Sequence, residues 1–300
     1  MRQRILLPAL ALLAAAGCNQ VKDGYAPVLG DDVTVAEKER FARRLYLDLT
    51  GLPATAEETD LLIDRLDAEG NTAKTRAALA SELIAAPAFG QLHLSETENA
   101  AFSGQSAAAA FTVQCQIVQF VEPSCQSCDT VDPCACACAP VKVLGDERDA
   151  FFALAADFVS GGATSSRDVE RALAATSPFL FNGSSPEGIT AQLFETFLAR
   201  PAEANEARNA RFMIIGTFLP GSPAGLLFHR HASDYSGLLD IVFESEVYRD
   251  AIVARVFSRY LGRRPTGDEL RFFSAELDPE QPDLRPLVEA VVSSSEYFRQ

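Results

Sequence analysis

Between Ile252 and Leu277 the apolar residues fall into two helical blocks joined by a turn. Ile252, Val253, Val256, Phe257, Tyr260 and Leu261 recur at the i, i+1, i+4, i+5 spacing that places them on one helical face. Gly262 follows, where a helix end favours a residue that tolerates positive φ, and Pro265 cannot continue a helix. Thr266 stands three residues before Glu269, the pattern of a capping box opening a second helix. Each cap is worth about 1 kcal/mol, against roughly 1.5–3 kcal/mol for each large apolar side chain buried. The apolar face therefore holds the hairpin, and the caps set where it turns.

The same grammar recurs. Phe41, Leu45, Tyr46 and Leu49 form a face, Gly51 and Pro53 end it, and Thr55 with Glu58 makes a second capping box. A third version runs through Leu193, Phe194, Phe197 and Leu198 into Arg200-Pro201, where Ala199 replaces the glycine and Ala202 the threonine, so both cap signals are missing. A companion segment appears four times, as Leu83–Phe89, Leu173–Phe179, Val242–Tyr248 and Val291–Tyr297. Self-similarity of this kind predicts repeated helical units sharing a core. The expected fold is mainly α: repeated helical hairpins forming one or two helical bundles, with an irregular Cys-rich insertion. The expected division is a tether over 18–34, an N-terminal helical unit over 35–102, the insertion over 103–145, and a C-terminal helical domain over 146–300. Further helices are expected over 72–85, 147–159, 166–175 and 208–217, with Ser185-Pro186 as a helix start. A loop is expected over 218–236.

Composition adds a compartment and removes a class of partner. The apolar fraction of 48% and charged fraction of 22% suit a chain with a core and a wetted surface. The formal charge is −15, and −17 once Arg2 and Arg4 are removed with a leader. Such a chain repels phosphate backbones, so the helix-turn-helix look does not imply nucleic acid. Residues 1–17 combine a basic start with an apolar run from Ile5 to Ala16, the pattern of a secretory signal too short to span a membrane. Ala15-Ala16-Gly17-Cys18 resembles the lipobox of bacterial lipoproteins, with alanine at 15 where that family usually has leucine. The resemblance implies cleavage before Cys18 and lipid attachment to its sulfur. Each buried acyl CH₂ contributes about 0.8 kcal/mol, so several chains make an anchor effectively permanent. Asn19, which is not aspartate, points by the lipoprotein sorting pattern to the outer membrane, periplasm-facing or at the cell surface.

Phe41 to Glu58, with Leu83 to Gly90 after it, resembles the planctomycete cytochrome-c-associated domains of unknown function. Val169 to Phe181 and the Gly-Arg-Arg-Pro-Thr turn at 262–266 are similar to neighbouring domains of that group. The resemblance implies an exported protein in the company of cytochromes, and it carries no reaction with it. A c-type haem needs Cys-x-x-Cys-His, but Cys125-Gln126-Ser127-Cys128 is followed by Asp129, so no haem is expected on this chain.

The remaining cysteines, Cys115, Cys125, Cys128, Cys134, Cys136 and Cys138, all lie in the insertion. An even count in an exported protein points first to disulfides, and six cysteines allow 15 pairings. Alternation of Cys134, Cys136 and Cys138 favours bonds to Cys115, Cys125 and Cys128. The alternative is a thiolate site for zinc or copper(I), or a redox-active Cys125–Cys128 pair. His229, His231 and Asp234 share one loop, with His93 elsewhere, and no third metal ligand is placed by spacing. Asp48 is expected to pair with Arg44 one turn back. The chain has no Gly-x-Ser-x-Gly elbow, His-Glu-x-x-His, Walker loop or dinucleotide fingerprint. These features point to a lipid-anchored envelope protein with a structural or protein-interaction role, docking a cytochrome or another envelope protein, with no catalytic residues and no cofactor. The alternative is a metal-binding or thiol-redox protein using the 115–138 cysteine cluster.

Overall fold

The computed structural model describes residues 33–128, 130–216 and 225–300. The leader, Cys18, the tether up to residue 32 and Asp129 lie outside them. The described residues form fifteen α-helices and one short β-hairpin. In chain order these are α1 Val35–Thr50, α2 Ala56–Glu69, α3 Ala73–Ala85, α4 Pro87–Ala101, α5 Ala107–Val121, α6 Ala139–Val159, α7 Ser166–Ala175 and α8 Ser177–Gly183. There follow α9 Pro186–Phe197, α10 Ala204–Ile215, β1 Gly225–Leu227, β2 Arg230–Ala232, α11 Tyr235–Phe243, α12 Glu246–Leu261, α13 Gly267–Glu276, α14 Leu284–Val292 and α15 Ser295–Arg299. The mainly α architecture of helical hairpins with a Cys-rich segment is thus the fold of the chain. Two compact units divide it. One holds the described residues up to Leu83 together with Val288–Gln300, and the other holds Ile84–Leu287. The last thirteen residues therefore group with the first helices rather than with 146–287.

The hairpins α1–α2, α9–α10 and α12–α13 share one turn. Gly51, Ala199 and Gly262 take left-handed backbone, with φ of 72°, 52° and 63°. Four residues on, Thr55, Glu203 and Thr266 stand at the N-cap of the next helix. Three residues beyond, the carboxylates of Glu58, Glu206 and Glu269 accept the N-cap amide at 2.7, 2.8 and 2.9 Å. The middle hairpin therefore keeps its cap geometry, contrary to the expectation that both signals are missing. Its N-cap is Glu203 rather than Ala202, and Ala199 adopts the backbone of the glycine it replaces.

A clamp accompanies the turn. Arg200 donates to both oxygens of Glu206 at 2.7 Å, and Arg263 to both oxygens of Glu269 at 2.8 and 2.9 Å. Each guanidinium also lies over a ring from the helix before it, Arg200 over Phe194 at 5.3 Å and Arg263 over Phe257 at 5.2 Å. In the first hairpin Leu52 takes the arginine's place, and Tyr46 lies close to Glu58. Tyr46, Phe194 and Phe257 each stand five residues before the left-handed residue.

The four companion segments are sharp joints between helices. Ala86, Thr176, Ser245 and Ser294 are extended N-caps, and the aromatic residue three positions later is buried in every case: Phe89, Phe179, Tyr248 and Tyr297. In the first unit the Phe41 ring lies 6.1 Å from Tyr297 and 5.0 Å from Phe298. Tyr297 donates to Asp48 at 2.8 Å, Arg44 pairs with the same carboxylate at 3.2 Å, and Arg44 covers the Tyr297 ring. Buried Arg76 donates to the Ser293 carbonyl at 2.8 Å, beside the last joint. Desolvation pushes this guanidinium down to about 10. In the second unit Phe179, Phe197, Phe243 and Tyr248 form a chain of rings with centroids 5.8, 5.1 and 5.0 Å apart.

Two segments depart from the sequence reading. Much of 103–145 is helical, as α5 and the start of α6, which leaves 103–106 and 122–138 outside the α-helices. The period of α5 is hidden because its exposed side is apolar too, so no polar stripe marks it. The expected loop over 218–236 contains β1 and β2, paired with Leu227 opposite Arg230, and the start of α11. Phe228 and His229 make its two-residue turn with φ of 48° and 64°, the left-handed pair that a tight hairpin requires.

The left-handed turn can be tested by exchange. Glycine at 199 relieves Cβ strain, so Ala199→Gly should stabilise the protein by about 1 kcal/mol. Gly262→Ala should cost about the same, because a Cβ there meets nothing within 4 Å and only the backbone objects. Denaturant unfolding of both variants checks the pair; equal signs would refute the shared turn.

Candidate functional site

The cysteines of the insertion form three bridges: Cys115–Cys134, Cys125–Cys138 and Cys128–Cys136, with Cα separations of 5.3, 5.4 and 5.7 Å. Each takes one cysteine from 115, 125 and 128 and one from the alternating run. The loops span 19, 13 and 8 residues, and each closure contributes roughly 2–4 kcal/mol by restricting the unfolded chain. The first bridge ties α5 to the short turn Pro133–Ala135, which lies so close to α6 that a Cβ on Gly145 would come within 2.7 Å of the Cys134 carbonyl. Gln119 donates to the Pro133 carbonyl at 2.7 Å, and Arg148 of α6 pairs with Asp132 at 2.7 Å. The sulfurs of Cys128, Cys136 and Cys138 lie within 4.8 Å of one another, the one grouping of metal-ligand type among the described residues.

This framework presents one face of α5 outward. Ala107, Phe111 and Cys115 are buried, with Phe111 6.4 Å from the Phe152 ring of α6. On the other side Val113, Ile117, Phe120 and Val121 are exposed by 45, 36, 83 and 58%. Charged residues are absent from Ala100 to Val121, and the first acid beyond them is Glu122 at the helix C-cap. The sequence signal was that uncharged run. Single exposed apolar residues are ordinary, whereas four along one helix face are a patch.

A second cluster is buried in the same unit. Glu170 of α7 is 1% exposed; its Oε2 accepts from the Tyr248 hydroxyl at 2.9 Å and from Arg255 at 3.0 Å. Its Oε1 faces His93 Nε2 at 3.8 Å, beyond hydrogen-bond reach. Burial alone would raise this carboxyl, but Arg255 and His93 override it and hold it down to about 2. Tyr248 is pushed up by burial and by the Glu170 charge beside it. The sequence reading missed Glu170; its signal is a carboxylate on the apolar side of a short helix, between Val169 and Leu173. His93 belongs to this cluster, while His229 and His231 sit on the β-hairpin. Arg230 between them pairs with Glu244 at 2.7 Å. Cys18 lies outside the described residues, and no helix among them is long and apolar enough to cross a membrane.

Comparison with known proteins leaves the geometry to speak alone: no family model, curated protein or solved structure matches the chain.

Peptide mapping of unreduced protein should recover the cross-links 115–134, 125–138 and 128–136, and any peptide joining Cys134 to Cys136 or Cys138 would contradict the framework. The Glu170 cluster gives a pH signature. A carboxyl whose folded pKa is depressed stabilises the fold above its ordinary value of 4.5, and that stability is lost as pH falls toward about 2. Glu170→Gln should therefore cost about 3 kcal/mol at neutral pH. The gap from the unsubstituted protein should narrow between about pH 4.5 and 2; parallel stability profiles would count against the cluster.

Proposed function

We propose that the chain is a lipid-anchored cell-envelope protein with a structural or protein-interaction role, contacting its partner through the exposed face of α5. The observation that carries this reading is an uncharged apolar helix face held rigid by cross-links in a chain of charge −15. Such a patch costs solubility unless something covers it. The leader pattern and Cys18 support export and acylation, and the lipobox resemblance supports the outer membrane. The resemblance of 41–58 to cytochrome-associated envelope domains supports a cytochrome or another envelope protein as partner.

A second reading is favoured by the three neighbouring sulfurs of Cys128, Cys136 and Cys138. Reduced, they offer a thiolate set of the type that holds zinc or copper(I); oxidised, they offer exchangeable bridges.

Cys18→Ser should release the protein from the membrane fraction, and retention there would remove the lipoprotein reading. Affinity capture from the native envelope should yield a partner that Phe120→Glu loses. Stoichiometric zinc or copper in protein purified from that envelope would instead favour the second reading.

A further inference from the structure

Val113, Gln116, Ile117, Phe120 and Val121 stand at i, i+3, i+4, i+7 and i+8 along α5, the spacing of a helix–helix seam. We infer that this seam pairs with the same seam of a second copy, α5 against α5 about a two-fold axis. The inference rests on the reading of α5 as the contact surface and names its occupant.

Three features select a second copy. The first is charge. Two chains of −15 repel wherever carboxylates meet, and the stretch from Ala100 to Val121 carries none, so it is a place where two acidic molecules can approach closely. The same stretch offers no lysine or arginine to an anionic lipid surface or to an acidic partner protein. The second is self-complementarity. A two-fold contact sets each residue against its own patch, which excludes a lone charge at the centre but suits a primary amide. Exposed Gln116 both donates and accepts, so the same residue on both copies can pair, as a polar residue in a helical seam does when it sets register. The third is size and rigidity. The exposed area of the four apolar side chains is on the order of 400 Å², within the range that marks interaction patches on monomers. That is about half of the roughly 800 Å² each partner gives to a standard interface. The patch therefore suits a reversible dimer rather than an obligate one. The Cys115–Cys134 bridge and the Gln119 contact to Pro133 hold the helix in place before binding, which lowers the ordering cost of association. Anchoring both copies in one membrane would raise their effective concentration and favour a weak contact.

Sedimentation equilibrium of the full secreted chain, made unacylated by Cys18→Ser, tests this over a wide concentration range. The expected result is a reversible monomer–dimer equilibrium. Ile117→Glu and Phe120→Glu each place two carboxylates in the seam and should weaken association at least tenfold, with unchanged circular dichroism and melting. Leu226→Glu, an exposed apolar site on the β-hairpin, should leave it unchanged. A chain that stays monomeric throughout, or a dimer indifferent to both seam substitutions, overturns the inference. If the chain is monomeric yet Phe120→Glu loses a captured envelope protein, the second copy is excluded while the contact surface stands. Flotation with phosphatidylcholine vesicles that depends on Phe120 would assign the face to lipid and overturn the second copy.

Discussion

A fold made almost entirely of helices must reverse its chain without sheets, and each reversal leaves carbonyls at one helix end and amides at the next with no intrahelical partner. Here one device answers both ends. A residue in the left-handed region turns the chain at Gly51, Ala199 and Gly262, and seven residues later a glutamate returns to the N-cap amide. The spacing along the chain between these two points is the same in all three hairpins, so the same pair of helix ends is satisfied in the same way each time. Ala199 shows which part of the device is essential. Alanine is strained there, but the Arg200–Glu206 clamp and the Phe194 ring under the guanidinium hold the turn in place. The first hairpin lacks this clamp: Leu52 stands in the arginine's place, with Tyr46 close to Glu58.

The charges inside the molecule serve the same end. Asp48, Glu170 and Arg76 are each bound at a joint between helices: Asp48 by Tyr297, Glu170 by Tyr248, and Arg76 to the Ser293 carbonyl. Tyr297 and Tyr248 are the aromatic residues that follow two of the extended N-caps, so their hydroxyls carry the register of the joint into the polar network. A buried carboxylate held by a guanidinium and a phenol is fixed in place, and the Arg255 charge beside it keeps it ionised despite burial. Such a group is a poor proton acceptor near neutral pH. The cluster is explained by packing.

What could be read from the chain follows from where the signals are local. Helix ends carry their own punctuation, so Gly51, Thr55, Gly262 and Thr266 marked two hairpins without reference to the rest of the molecule. The middle hairpin was misjudged because its cap is glutamate and its left-handed residue is alanine, two residue types whose local preference is for something else. The aromatic at the joints was visible as a repeated pattern, but its partners come from distant segments and were not. Likewise Glu170 could be placed on a helix but not beside Arg255 and His93, which are separated from it by 85 and 77 residues. The helix α5 was hidden for a different reason. Periodicity reports a contrast between faces, and a helix that is apolar on its outer side has little contrast to report.

That last case bears on why the cysteines are where they are. A fifteen-residue helix without a charged residue, joined to an irregular stretch with almost no core of its own, would not hold one position by packing alone. The bridge from Cys115 supplies the constraint in the middle of the helix, on the side opposite Val113, Ile117 and Phe120, so it fixes the helix without covering that face. Disulfide and metal readings of the segment are then exclusive at any instant. A sulfur shared in a bridge has no thiolate to give a metal, and a reduced segment would release the Cys115 tie that keeps the apolar face in place. The two readings therefore require opposite oxidation states of the same cysteines.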